Sequence, residues 1–392
     1  MRDPARLQAA IEVLDRVITA ARDGGAAADS LLEAYMRSRR YIGAKDRAAI
    51  RDLVWAAIRH SGERPVSGRA ALLGHLEAAA PALLAGFDGS PHAPTPLRLG
   101  EPRTPASPAP AWLLPALAAR FGPDLPAALA ALNGRAPLDI RVNRLAGIAP
   151  ADAAAQLPGP AEPVSVAGIV LPDALRLPAG TPLERHPLLE AGAIAVQDAG
   201  SQAVVALAGV RPGMAIVDLC AGAGGKSLAL AAAMGGEGRI VAADTDRRRL
   251  AALPSRARRA GAVAMIETRL LDPGREAGQL ADWGGRADLV LVDAPCSGSG
   301  TWRRSPELRW RLTPARLERL VALQARLLRL GASLARPGGR LVYAVCSVLD
   351  SEGPDVVRRF ETDTGLRPHR TLALSPHVHG CDGFFIATFA IP

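Results

Sequence analysis

The sequence predicts an α/β protein: a doubly wound, Rossmann-like domain in its C-terminal half, preceded by a small mixed α/β domain and a helical one. Three observations predict this. From about Ala193 onward the apolar runs "MAIVDLC", "GRIVAADT", "AVAMIETRL", "ADLVLVDAPC" and "GRLVYAVCS" alternate with helical patterns such as residues 314–334, which implies a mostly parallel sheet with helices on both faces. Residues 4–60 place their apolar side chains at helical spacing. Between the two, residues 86–110 are rich in Pro and Gly; proline removes a backbone donor and restricts its predecessor, so this tract sustains neither a helix nor a central strand.

Each element follows in order. Leu7, Ile11, Leu14 and Ile18 mark one helical face and Ile50, Leu53, Val54, Ala57 and Ile58 another, giving a helical domain over residues 1–85. The Pro/Gly tract, a linker or an irregular connection, and a helix at "AWLLPALAARFG" make a linker region with connecting helices over residues 86–135. "PLDIRVNR" and "GIVLPDALRL" read as short strands of a small mixed domain over residues 136–192, and residues 193–392 hold the parallel sheet. Ligands of such a sheet lie at the carboxyl ends of its strands. There "DLCAGAGG" follows the first strand, Asp244 ends the second, "DAPC" ends the fourth and "CS" ends the fifth. "DGFF", Asp382 to Phe385, reads as the entry to a further buried strand.

With 392 residues, 49% of them hydrophobic, the chain can bury the cores of two or three domains. It opens on no signal-peptide pattern and has no apolar run of about 18 residues, so a cytoplasmic protein with no membrane partner is expected. The four cysteines, Cys220, Cys296, Cys346 and Cys381, show no C-x-x-C spacing and are too few for a disulfide scaffold, which leaves reduced thiols available for chemistry. "HVHGC" at His377 to Cys381 matches no zinc spacing, and no metal is expected. The formal charge of +9 favours a polyanionic partner, nucleic acid above all. Arginine supplies almost all of it: Lys45 and Lys226 are the only lysines.

The stretch "DLCAGAGGKS" ends like an ATP-binding phosphate loop, but that loop requires glycine where Cys220 stands. Gly222, Gly224 and Gly225 let the backbone approach a ligand closely, and the following helix offers free N–H groups. Asp244, about 20 residues on, ends a strand where a carboxylate can accept from both ribose hydroxyls. Together they describe a nucleoside-containing cofactor. Gly222 and Gly224 are followed by Ser227, which departs from the dinucleotide fingerprint G-x-G-x-x-G. Cys296 and Cys346 fall on the same rim, where a thiolate can act as nucleophile.

"DLCAGAGGK", "DAPCSGSGTWRRSPELRW" and "YAVCS" resemble the signature motifs of the Sun/Nop family of RNA (cytosine-5) methyltransferases, bacterial RsmB-type enzymes in particular. The resemblance runs from "PLDIRVNR" through "VQDAGSQ" to "DGFFIATF", and the helical start is similar to their NusB-like RNA-binding domain. It implies a class I methyltransferase domain at residues 193–392, S-adenosyl-L-methionine as cofactor, and RNA, ribosomal RNA of the small subunit, as partner, with no obligate protein partner. It implies cofactor contacts from Cys220, Ala221, Gly222, Ala223, Gly224, Gly225 and Lys226, and from Asp244, Asp272 and Asp293. Cys346 would be the nucleophile, Cys296 would assist release of the methylated base, and Asp293 would bond the ring's nitrogen edge. Gly222 and Ala223 replace Ala-Pro of the family's usual loop, which predicts a looser loop here.

Trp302 and Trp310, interleaved with Arg303, Arg304, Arg309 and Arg311, admit two readings. They could stack on and neutralise an exposed RNA segment, or the tryptophans could pack inside with the arginines solvated. Arg247 to Arg249 and Arg256 to Arg259 read as an exposed helix face. The rival to an enzyme is a non-catalytic RNA-binding assembly factor on the same scaffold, which the presence of both cysteines opposes.

Overall fold

The structure, a computed structural model, describes residues 2–392. The chain divides into two compact units: one runs to Gly134 and also takes Thr301–Pro314, and the other comprises Arg135–Gly300 and Ala315–Pro392. No helix among the described residues is long and apolar enough to cross a membrane.

The first unit is helical. Helices α1 (Asp3–Asp23), α2 (Ala28–Ser38), α3 (Ala44–His60) and α4 (Gly68–Ala79) bury Leu7, Leu14, Val17, Ile50, Val54, Ile58, Leu72 and Leu76 in one core. Gly24, at φ 80°, closes α1 in the left-handed conformation that glycine reaches without cost. The Ser67 hydroxyl caps α4 by accepting from the Ala70 amide at 3.1 Å. The Pro/Gly tract is an irregular connection that packs on α3 and α4. Its Thr104 and Ser107 amides donate to the carbonyls of Ala70 and His60, each at 3.0 Å, and Arg69 binds Glu101 at 2.6 Å. Gly74 permits this approach: a Cβ there would sit 2.0 Å from the Thr104 carbonyl oxygen. Proline bars the tract from regular structure but not from packing. Helices α5 (Leu114–Phe121) and α6 (Leu125–Asn133) follow it.

The second unit holds two sheets. The smaller is antiparallel, in the order β2-β3-β1-β4, from β1 (Leu138–Val142), β2 (Glu162–Val166), β3 (Ile169–Leu177) and β4 (Ile194–Val196). Ala167 and Gly168, both at positive φ, make the tight turn between β2 and β3. Since β4 pairs with β1, the small sheet crosses the expected boundary at residues 192/193.

The larger sheet has seven strands: β5 (Ala215–Asp218), β6 (Arg239–Asp244), β7 (Ile266–Leu270), β8 (Ala287–Asp293), β9 (Ala335–Val345), β10 (Arg370–Leu374) and β11 (Phe384–Ala390), in the order β10-β11-β9-β8-β5-β6-β7. Strands β9, β8, β5, β6 and β7 run parallel; β11 and β10 add an antiparallel edge. Successive side chains alternate faces. Thus Ile216, Leu289, Leu291 and Val342 join one buried cluster, while Val217, Val290, Val292 and Leu341 join the other. Helices cover both faces, as the uninterrupted apolar runs require. Strand order reverses at β5/β8, where the ends of such strands open a crevice.

Candidate active site at the carboxyl ends of the parallel strands

The glycine loop leaves β5 and is pinned at several points, tighter than its sequence predicts. The Gly222 amide donates to Asp244 Oδ2 at 2.7 Å, the Gly224 amide to the Ala221 carbonyl at 2.8 Å, and Arg256 Nη1 to the Ala223 carbonyl at 2.6 Å. Gln197 Nε2 reaches the Gly225 carbonyl at 3.3 Å. Gly222 and Gly224 both adopt left-handed φ, 55° and 80°, and a Cβ on Gly224 would meet Leu253 Cδ1 at 2.0 Å. Glycine is therefore required by conformation and by space. At Gly225 the opposite holds: a Cβ would meet only Gln197 Nε2, at 4.0 Å, so the start of the helix Gly225–Ala233 faces an open cradle.

Asp244, at the end of β6, is buried and takes one backbone amide on each oxygen, from Gly222 and from Asp246. Each oxygen keeps a second lone pair for a hydroxyl. Asp272, two residues beyond β7, is exposed on the same rim and bonds Gln279 Nε2 at 2.9 Å. Cys220 packs against the sheet's core; burial first, then Asp244, pushes its thiol well up, so it serves as a neutral packing group.

Beneath the loop, Asp218 is fully buried. Its Oδ2 accepts from the Ser227 hydroxyl at 2.6 Å, while Oδ1 has no partner. Burial pushes its carboxyl up to about 7, against the Ser227 hydrogen bond. Lys226, four-fifths or more buried, places Nζ 2.6 Å from Asp293 Oδ2. Burial opposes its charge, but Asp293 outweighs that and holds the ammonium above its ordinary range.

The two thiols meet. Asp293 lies opposite Ala344 in the β8/β9 register, so Cys296 and Cys346 follow neighbouring strand ends, with their sulfurs 3.3 Å apart and unoxidised. The hydrogen bond to Cys346, then burial, pushes the Cys296 thiol well above its ordinary range; Glu352 adds a smaller push in the same direction.

Sequence reasoning missed what fixes these sulfurs. Glu352 is wholly buried and clasps both cysteine loops. Its Oε1 accepts from the Ser297 amide at 2.8 Å and from Gln324 Nε2 at 3.0 Å; its Oε2 accepts from the hydroxyls of Ser297 at 2.5 Å and Ser347 at 2.6 Å. Ser299 Oγ closes the network, 2.9 Å from Ser347 Oγ. The serine that follows each cysteine was the available signal.

The structure brings together Cys296, Cys346, Asp293, Lys226, the glycine loop and Asp244. It does not add the Trp/Arg segment to them. Trp302 is 0% and Trp310 2% exposed, both in the first unit, so neither can stack on a base. Arg303 and Arg309 are buried rather than solvated. Arg309 donates to the carbonyls of Pro306 and Pro108 and to Asn133 Oδ1, and Arg311 to the carbonyls of Gly25 and Ala26.

Residues 205–390 match the family described as 16S rRNA methyltransferase RsmB/F. A probable ribosomal RNA small subunit methyltransferase B from Synechocystis is 34% identical over 302 residues, 71% of this chain and 66% of that protein. The chain spans just under two thirds of the length of the curated relatives it matches. Among solved structures, that of PH0851 superposes with a TM-score of 0.77 at 21% identity, covering 98% of each chain. NSun6 from Pyrococcus horikoshii with SFG gives 0.63 at 19% identity, covering 72% of this chain and 98% of that one. At these identities the structures establish the fold.

Proposed function

We propose that the chain is a methyltransferase of the RsmB/F kind, which it resembles over residues 205–390, and that it methylates carbon 5 of a cytosine in RNA, the RNA of the small ribosomal subunit, with S-adenosyl-L-methionine as donor. The observation that carries this reading is the pair of sulfurs 3.3 Å apart beside the Lys226–Asp293 ion pair. A non-catalytic scaffold has no use for a buried carboxylate that fixes two thiols. The helical N-terminal domain serves as a NusB-like RNA-binding module, and residues 136–192 as a second RNA-binding element.

The residues fit the cofactor. Asp244 can accept from its ribose hydroxyls, Asp272 lies beside it on the rim, and the cradle at Gly225 offers helix amides to its carboxylate. Cys220 and Ala221 to Lys226 form the surrounding loop. When bound, the cofactor supplies an electrophilic methyl group on a sulfonium.

Carbon 5 of cytosine is too electron-poor to attack that methyl directly. Cys346, as thiolate, adds to carbon 6; the electron pair of the 5,6 double bond moves onto the ring and makes carbon 5 nucleophilic. Cys296 keeps its proton at this stage and donates toward the Cys346 sulfur, so the pair carries one negative charge. Asp293, its Oδ2 held by Lys226, bonds the ring's nitrogen edge, and the Lys226 ammonium beside it offsets the negative charge that addition pushes onto the ring. Carbon 5 then takes the methyl. With the Cys346 charge consumed, the main cause that kept Cys296 protonated is gone; Cys296 loses its proton to solvent, removes the proton from carbon 5, and Cys346 leaves as thiolate.

The test separates the two sulfurs. Cys346→Ala should neither methylate nor crosslink RNA, while still binding S-adenosyl-L-methionine. Cys296→Ala should methylate once and remain joined to RNA in a complex that survives denaturing electrophoresis. Trapping in Cys346→Ala instead would reverse the roles, and trapping in neither variant would refute the thiol mechanism. Bisulfite sequencing of ribosomal RNA identifies the base.

A further inference from the structure

A second basic feature lies outside this thiol site. The small sheet and the helix Leu253–Arg259 enclose a cleft of about 320 Å³ within the second unit, lined by Arg141, Arg256 and Arg259 together with Asn143, Ile194 and Val196. No carboxylate lines it. Arg141, on β1, is only 7% exposed; its Nε donates to Gln197 Oε1 at 2.8 Å, but its Nη1 has no hydrogen-bond partner. Asp173 acts on Arg141 electrostatically, yet its own ion pair, at 2.5 Å, is with Arg144. Burial holds the Arg141 guanidinium down to about 10, and Arg256 opposes its charge. Burial also lowers Arg256, and Arg259 adds to that.

Three like charges gathered in a cleft, one of them buried with an unused donor, are costly without an anion. We propose that this cleft seats a phosphate group of the RNA backbone, held by Arg141, Arg256 and Arg259. The inference rests on the reading of RNA as substrate. Its volume suits a phosphodiester with its flanking sugar, and arginine matches phosphate oxygens bidentately. Because Arg256 also bonds the Ala223 carbonyl of the glycine loop, a strand anchored here is registered against the loop that would hold the methyl donor. Sequence reading placed Arg256 to Arg259 on an exposed helix face; the fold turns two of them toward Arg141.

The test measures RNA affinity against salt concentration, without cofactor, using a single-stranded fragment of small-subunit ribosomal RNA. Arg256→Gln/Arg259→Gln should reduce the slope of log K against log salt by about one to two and weaken binding roughly tenfold at 0.1 M salt. Arg358→Gln/Arg367→Gln, on exposed arginines elsewhere in the unit, should leave the slope in place. Arg141→Gln, checked for folding by circular dichroism, should behave as the first variant does. A slope unchanged in the cleft variants, with wild type binding RNA, overturns the cleft alone. Wild type that binds no RNA overturns the functional reading instead. Inorganic phosphate at constant ionic strength is the second arm: competition with RNA in wild type, lost in the cleft variants, supports a shared phosphate seat. Phosphate that binds the cleft without displacing RNA makes it a site for the free ion and overturns the proposal.

Discussion

The motif "DAPCSGSGTWRRSPELRW" divides at Gly300 into two regions that bury polar groups for opposite ends. Before the division, Asp293 pairs with Lys226, Cys296 meets Cys346, Ser297 donates to Glu352 and Ser299 bonds Ser347, so two sulfurs are fixed at the sheet's rim. After it, Arg309 and Trp310 donate to uncharged acceptors, the carbonyls of Pro306, Pro108 and Ser61 and Asn133 Oδ1. A buried charge facing another ionisable group can be tuned and used. One facing uncharged acceptors is only held in place. Burial and polarity are alike in both stretches, and the partner decides which becomes a site.

The largest effect should come from the packing region. Trp310→Ala removes an indole 2% exposed from the helical core and leaves the Ser61 carbonyl unpaired, costing about 3–5 kcal/mol of stability; chemical denaturation measures it, and a loss under about 1 kcal/mol would mean the segment is not part of that core. Asp218→Asn probes the floor of the chemical region. The folded chain holds this proton up to about pH 7, against an ordinary value of 3.8, so its contribution to stability is complete below about pH 4 and lost as pH rises through 7. The asparagine variant should lose this dependence, gaining up to about 4 kcal/mol over the parent between pH 4 and pH 8; parallel melting curves across that range would contradict it.

Glu352→Ala should slow methylation roughly 100-fold, the usual effect of reacting groups displaced by about 1 Å. Glu352→Gln, which keeps the shape, removes a charge that helps keep Cys296 protonated, so alkylation of that thiol should titrate at lower pH. A purely structural glutamate would leave the titration where it was. Asp244→Ala should weaken cofactor binding by about 1.5–3 kcal/mol for each hydroxyl bond lost, measurable by calorimetry, and should also lower the melting temperature, because the Gly222 and Asp246 amides lose their acceptor.

The parallel sheet was legible because strands buried on both faces leave uninterrupted apolar runs, and the rim residues because each ends such a run. The helix at residues 314–334 is found at those limits. Glu352 was not legible: its role depends on the β8/β9 register, which brings a loop 55 residues away onto its carboxylate. The fate of residues 86–110 was hidden for a related reason. Proline content forbids regular hydrogen bonding within the tract but says nothing of the α3 and α4 carbonyls, and the Arg69 guanidinium, that meet it. Arginines misled most, since the side chain reads as a surface charge until its carbonyl partners are seen.

The insertion of Thr301–Pro314 has a bearing on the handling of the protein. The chain passes between its units three times, at residues 134/135, 300/301 and 314/315, so each unit is built from two separate stretches of chain. Trimming the gene at Gly134 would leave Trp310 without the helical core that covers it. End-to-end fusion or shuffling of either module would need the Thr301–Pro314 segment rewritten at the same time.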